Sequence, residues 1–326
     1  MAVYTDVSDE ELDAFLAPYG LGPVLSFKGI AEGVENSNFL LTVLASEQAT
    51  NYILTLYEKR VNASDLPFFI GLMDHLADQG LSCPRPIKTE NGTALGQLNQ
   101  RPAALVSYLQ GRSIRRPAVD HCRAVGIALA DLHLAGLSFD GTRPNGLGPQ
   151  GWADLWQDCK TEGNAAKSPV AKLVADTLPS IIQQWPQDLP RGIIHADLFP
   201  DNVFFIGDDL SGVIDFYFAC TDYLAYDLAI TMNAWCFEVD GSFNVTKARA
   251  LVQGYQSVRP LENAEITALP VLAQGAAVRF LLTRLYDWLN QVEGALVTVK
   301  DPAEYAAKLR FHRGVKDAAA YGLANK

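Results

Sequence analysis

Asp197, Asn202 and Asp215 are the residues whose types and spacing point most directly to chemistry. The first two stand in His195-Ala-Asp197-Leu198-Phe-Pro-Asp-Asn202, and the third ends Ser211-Gly-Val-Ile-Asp215. One carboxylate can take or orient a hydroxyl proton. An amide and a second carboxylate can then hold a divalent cation on nucleotide phosphates, which suits phosphoryl transfer, where positioning and charge neutralisation do most of the work. The wording matches the catalytic-loop pattern H-R-D-L-x-x-x-N, with Ala196 in place of the arginine, and Asp215-Phe216 follows as the start of D-F-G. Singly, these residues are ordinary turn formers. Together, at this spacing, they assign Asp197 as the catalytic carboxylate and Asn202 and Asp215 as Mg2+ ligands. His195 is expected to hold the loop by bonding backbone, and Asp201 to face solvent.

The text around them dictates what must position them. Ser8-Asp-Glu-Glu11 reads as a capping box that opens a first helix. Residues 24–27, 38–43 and 51–56 read as strands, residues 66–79 as a helix stopped by Gly80, and Asn91-Gly92 as a hairpin turn before an apolar strand from residue 103. After Gly111 the character turns helical: residues 119–134 are amphipathic, residues 136–151 form a Gly/Pro-rich loop, and helical text fills residues 152–184. A compact β segment over residues 192–218 carries all three chemical residues, its two central strands joined by Gly207-Asp-Asp209. The expected architecture is α+β, with a small mixed-sheet lobe over residues 1–108 and a larger, mainly helical lobe over residues 109–326.

Composition narrows the partners. A chain of 326 residues exceeds the size at which one core stops growing. Net charge is −11, from 37 acidic and 26 basic residues, the reverse of a nucleic-acid binder. An acidic protein holds a nucleotide when a cation mediates. Residues 266–282 are apolar but broken by Pro270, Gln274 and Arg279, which reads as a buried helix and not a membrane span. The start of the chain does not look like a signal peptide. The five scattered cysteines fit reduced thiols, so the expected setting is the cytoplasm and the partner a small molecule, with oligomeric state open.

The chain resembles the aminoglycoside phosphotransferase and choline kinase group, whose fold is the two-lobed protein-kinase-like one. Gly126-Ile-Ala-Leu-Ala-Asp-Leu-His133, the 195–202 loop, Val213-Ile-Asp-Phe216 and Asp222-Tyr-Leu-Ala-Tyr-Asp227-Leu-Ala229 carry the resemblance. Within it, the wording is similar to bacterial homoserine kinases of this fold, in Gly33-Val-Glu-Asn36-Ser-Asn-Phe39, Tyr52-Ile-Leu-Thr-Leu-Tyr-Glu-Lys59 and Arg279-Phe-Leu-Leu-Thr-Arg284-Leu-Tyr-Asp287-Trp288. The resemblance implies ATP and Mg2+ as cofactors and a hydroxylated metabolite, most specifically L-homoserine, as substrate. It places the loop with Gly29, Gly33, Asn36, Ser37 and Asn38 over the phosphates, backbone at Ser107, Tyr108 and Leu109 against adenine, and Asp227 as a brace for the catalytic loop.

Three departures stand out. The phosphate-touching lysine of the third strand is Thr55, its helical glutamate partner is Phe69, and the glycine of D-F-G is Tyr217. Losing lysine and glutamate together is coherent, since either alone would be an unpaired buried charge. Lys59 or Arg60 could substitute, although both also read as surface charge. For the substrate, Arg284 is the expected carboxylate fork, with Asp222, Tyr226 or Asp287 near the ammonium; an Arg284–Asp287 surface pair is the plainer alternative. Trp235, Phe237, Tyr286 and Trp288 read either as core or as a cage for a quaternary amine. A kinase of choline, an aminoglycoside or another amino alcohol is the rival enzyme. A nucleotide-binding pseudokinase scaffold is the rival of another class.

Overall fold

The computed structural model describes residues 5–30, 36–58, 62–161, 169–290 and 300–323. Gly33, Lys59 and Arg60 lie outside the described residues. The chain divides into two compact units, Met1–Gly111 with Ser211–Tyr217, and Arg112–Leu210 with Phe218–Lys326. The first unit therefore extends to Gly111 and takes back a short later segment, which a division into two contiguous lobes does not contain.

The first unit is built on five strands, β1 (Val24–Gly29), β2 (Ser37–Ala45), β3 (Gln48–Leu56), β4 (Leu95–Leu98) and β5 (Arg101–Ser107), in the order β1-β2-β3-β5-β4. Every pairing is antiparallel. β2 alternates buried and half-buried residues, so Phe39, Leu41 and Val43 line one face, where Leu54, Leu56 and Leu105 join them. Helix α1 (Asp9–Leu16) begins at the expected capping box, with Ser8 Oγ accepting the Glu11 N–H, and turns Leu12, Phe15 and Leu16 onto this core. Helix α2 (Leu66–Asp78) buries Phe69, Ile70, Leu72 and Met73. The β4–β5 hairpin closes at Asn99-Gln100, not at Asn91-Gly92. Both Asn99 and Gln100 take positive φ (49° and 60°), as a two-residue primed turn requires. Asn91-Gly92 instead turns an irregular stretch, with the Gly92 N–H donating to Thr89.

The second unit is helical: α3 (Val119–Gly136), α4 (Pro149–Thr161), α5 (Pro169–Gln184), α6 (Leu224–Trp235), α7 (Val245–Val258), α8 (Asn263–Leu289) and α9 (Pro302–Arg313). Short strands β6 (Arg191–Ile194) and β9 (Cys220–Tyr223) pair antiparallel, and β7 (Val203–Ile206) runs through a Gly207-Asp208 turn into β8 (Asp209–Val213), which from Ser211 on is counted with the first unit. Helices α3 and α7 approach closely through two glycines. A Cβ at Gly126 would stand 2.0 Å from the Leu251 carbonyl oxygen, and one at Gly254 2.2 Å from that of Arg123. This contact brings Tyr255, next to Gly254, up to His133. Helix α8 is long and apolar enough to cross a membrane by composition, but two thirds of that stretch (67%) is buried inside the protein, as expected of a core helix.

Candidate active site

The catalytic loop leaves β6 at Ile194 and enters β7 through a tight turn at Pro200–Asn202. His195 is fully buried, and Ala196 takes a left-handed φ of 64°, a conformation that costs an alanine about 1–2 kcal/mol. Two side chains fix that conformation. Asp227 on α6 accepts the His195 N–H at 2.6 Å and the Ala196 N–H at 2.9 Å. Arg279 on α8 donates to the Ala196 carbonyl. Asp227 is itself held by His133 Nε2 at 3.2 Å, whose Nδ1 meets Tyr255 Oη at 2.7 Å. Burial pushes the Asp227 carboxyl up, but the bond and charge of His133 and the His195 contacts outweigh it, leaving the group below its ordinary pKa.

His195 Nδ1 accepts the Asp197 N–H at 3.2 Å, so this ring nitrogen is occupied in shaping the loop. Trp235 Nε1 donates to the Leu198 carbonyl at 2.8 Å. The half-buried Asp197 is fixed from its other side by Asn202, whose Nδ2 donates to the Asp197 carbonyl at 2.9 Å and to its carboxylate at 3.3 Å. The Asn202 Oδ1 accepts no hydrogen bond from a described residue. An amide anchored by its nitrogen with its oxygen left over is the donor chemistry that a hard cation takes.

In the first unit, β8 leads to Asp215, which also takes a left-handed φ, of 65°. The three departures from the expected pattern meet directly behind it. The Tyr217 ring stands edge-on to Phe69, with centroids 5.7 Å apart, and to Tyr57, at 5.3 Å. Its hydroxyl lies 3.0 Å from that of Tyr57. Burial pushes the Tyr217 pKa up to about 12, against the hydrogen bonds of Tyr57 and Thr55. Thr55, 3% exposed, donates to Asn38 Oδ1 at 2.8 Å. A neutral cluster of rings and hydroxyls thus fills the place where a lysine–glutamate ion pair was expected.

The phosphotransferase enzyme family matches residues 26–261, a span that holds the first unit's sheet, the catalytic loop and Asp215. The chain belongs to that family. Homoserine kinase of Parvibaculum lavamentivorans is 60% identical over 323 residues, covering 99% of each chain. Homoserine kinase of Rhizobium meliloti is 58% identical over 323 residues, covering 99% of this chain and 98% of that one. Among solved structures, an amicoumacin kinase in complex with AMP-PNP, Ca2+ and Ami aligns with a TM-score of 0.69 over 94% of this chain and 92% of that one. At 14% identity, that likeness speaks for the kinase-like fold alone.

The other expected positions of this family member fall as follows. Asn36 Oδ1 accepts the Glu58 N–H at 3.3 Å and Ser37 Oγ donates to Glu58 at 2.8 Å, so both, like Asn38, are tied into the β2–β3 pair that starts where Gly29 and β1 end. Ser107 ends β5 and exchanges hydrogen bonds with Arg85, Tyr108 is 41% exposed, and Leu109 lies over Gly212, where an added Cβ would come within 2.7 Å of it.

Toward the substrate, Asp222 is buried and accepts Asn145 Nδ2 at 2.8 Å and the Tyr223 N–H at 2.8 Å. Tyr226 is fully buried on α6. Arg284, expected as the carboxylate fork, is already paired with Glu304 at 2.6 Å and lies over the Tyr305 ring, while Asp287 is exposed. Trp235 and Phe237 are packed among other rings, whereas Tyr286 and Trp288 are exposed, so these four do not gather into a cage. Arg279, Tyr305 and the His133–Tyr255 pair carry no local signal in the sequence beyond the spacing of Arg279 to Arg284 on one helix.

Proposed function

We propose that the chain is an ATP-dependent small-molecule kinase that phosphorylates the side-chain hydroxyl of L-homoserine, giving O-phosphohomoserine for threonine biosynthesis in the cytoplasm. The observation that carries the reading is an intact catalytic loop, with Asp197 fixed by Asn202, Asp227 and Arg279, in a chain about as long as the homoserine kinases it matches at 57–60% identity. Asp197 orients the substrate hydroxyl and takes its proton as the bond to phosphorus forms. Asn202 Oδ1 and the Asp215 carboxylate are the oxygen ligands for Mg2+, which when bound neutralises phosphate charge. No group of three or more His, Cys, Asp or Glu side chains stands ready for a metal among the described residues.

Asn36, Ser37 and Asn38 order the start of β2 beneath the nucleotide phosphates, and the backbone of Ser107, Tyr108 and Leu109 meets adenine. Asp222 is the acidic group assigned to the substrate ammonium. The experiment is a coupled assay of ATP consumption with L-homoserine, choline, serine and an aminoglycoside. Homoserine should be turned over with the highest kcat/KM. A higher value for another member would move the substrate, and ATP binding without any turnover would make the chain a scaffold.

A further inference from the structure

Arg279 is 2% exposed, and no Asp or Glu among the described residues forms an ion pair with it. Its Nη1 donates to the Ala196 carbonyl, the peptide immediately before Asp197, and its Nε is buried with no partner. The Phe280 and Phe218 rings flank the guanidinium at 4.7 and 5.6 Å. A buried cation whose company is a carbonyl, two rings and the neutral Tyr226 hydroxyl, with no carboxylate paired to it, is poorly compensated.

The other unpartnered polar atoms point to the same place. Four buried side-chain atoms lack a hydrogen bond among the described residues: Arg279 Nε, Tyr226 Oη, Tyr305 Oη and Glu265 Oε1. Glu265 is accounted for by its ion pair with Arg259 at 3.0 Å. Tyr226 and Tyr305 both feel the charge of Arg279, and Tyr305 also feels that of Asp197. Burial pushes both phenols up, so both stay neutral donors at any physiological pH. The Tyr226 hydroxyl of α6, the Arg279 Nε of α8 and the Tyr305 hydroxyl of α9 thus stand beside the catalytic loop with no acceptor among the described residues, the first of them against the guanidinium itself. What they lack is an anion.

We propose that Arg279 is the site for the substrate carboxylate, received on its Nε edge with the Tyr226 and Tyr305 hydroxyls as further donors. Arg284, neutralised by Glu304, packs α8 against α9 instead. Because the other end of the Arg279 guanidinium holds the Ala196 carbonyl, the carboxylate lies one short amino acid away from Asp197. The site therefore selects a hydroxylated amino acid over an amino alcohol. An amino alcohol would leave the buried cation as it is, and a polar site with an unmet partner rejects such analogues strongly.

The inference rests on the homoserine reading and sharpens it, so the wild-type chain is assayed first with L-homoserine and with 3-aminopropan-1-ol, which is homoserine without its carboxylate. A wild type that does not phosphorylate homoserine removes both the reading and this inference. Given turnover, Arg279→Gln should lower the homoserine to 3-aminopropan-1-ol ratio of kcat/KM by about 100-fold or more, the scale on which removing one member of a buried charge pair acts. An equal loss on both substrates would make Arg279 a clamp of the loop and nothing more.

Tyr226→Phe keeps the inference testable if Arg279→Gln does not fold, because the hydroxyl makes no well-formed hydrogen bond within the protein and touches only the Arg279 guanidinium. Its Tm should stay within about 1–2 °C of wild type. Its KM for homoserine should rise about 10- to 100-fold, the loss of one hydrogen bond to a charged group. An unchanged KM would overturn the assignment.

Discussion

The Thr55–Tyr57–Phe69–Tyr217 cluster of the first unit and the Asp227–His133–His195–Arg279 network of the second perform the same task with opposite materials. Each stands behind an acidic loop residue, Asp215 in one and Asp197 in the other, and each loop turns on a non-glycine left-handed position, Asp215 itself or Ala196. The first cluster contains no formal charge: rings pack edge to face and hydroxyls satisfy one another. The second buries an aspartate and an arginine and saturates the aspartate with two backbone N–H groups and a histidine. The difference shows what desolvation tolerates. A buried ion pair can be dropped if both members go, because no orphan remains. A single buried carboxylate persists only when every lone pair has a donor.

The largest effect should come from taking the acceptor out of the charged network. Asp227→Ala would leave the His195 and Ala196 N–H groups and the His133 ring unpaired at fully buried sites. Each lost partner costs about 1–3 kcal/mol, so the second unit should lose about 3–5 kcal/mol and kcat should fall with it. All five tryptophans lie in that unit, so urea unfolding followed by tryptophan fluorescence reports it selectively. A loss below about 1 kcal/mol would mean that the loop is held by its other bonds, Trp235 to Leu198 above all.

Charging the neutral cluster tests the same contrast from the other side. Thr55→Lys places an ammonium at a site 3% exposed whose neighbours are rings and hydroxyls. It should destabilise the first unit by about 2–3 kcal/mol, as an uncompensated buried charge does. Adding Phe69→Glu supplies the missing partner and should recover about 1 kcal/mol or more as a coupling energy in a double-mutant cycle. Additive losses would show that Tyr217 has closed the position to an ion pair for good.

The catalytic loop was legible in the sequence because its chemistry is written in consecutive residues: Asp197 and Asn202 sit on one turn, and Asp227 announces itself in Tyr-Asp-Leu-Ala. The neutral cluster was legible only as three separate departures. Thr55, Phe69 and Tyr217 come from a strand, a helix and a loop, and nothing in spacing or propensity says that they touch. The same holds for Arg279. It reads as one of several arginines on a long apolar helix, and its want of a counter-ion is a fact of packing alone. The two hairpins closing at Ser46-Glu47 and Asn99-Gln100 escaped notice because three of these four residues are unusual in left-handed turns, whereas Asn91-Gly92, the stronger local signal, lies where no strands pair.

Acid should separate the two units without a mutation in either loop. His312 on α9 is fully buried, with Nδ1 2.8 Å from Tyr321 Oη and Nε2 3.1 Å from Asn233 Oδ1, and Lys308 near it. Burial first, then the lysine charge, lower its pKa from 6.5 to about 3. The folded chain therefore stays unprotonated at His312 while the unfolded chain takes up a proton below about pH 6.5. The stability from the neutral ring is complete above that pH and is lost progressively as pH falls toward 3. Between pH 7 and pH 5 the loss should be about 2 kcal/mol from this one residue. The first unit's cluster has no member titrating in that range, with Tyr217 pushed up to about 12. Tryptophan-detected urea unfolding at the two pH values should show the drop, and His312→Gln, less stable at pH 7, should flatten it. An equal slope in His312→Gln would place the acid sensitivity of the second unit elsewhere.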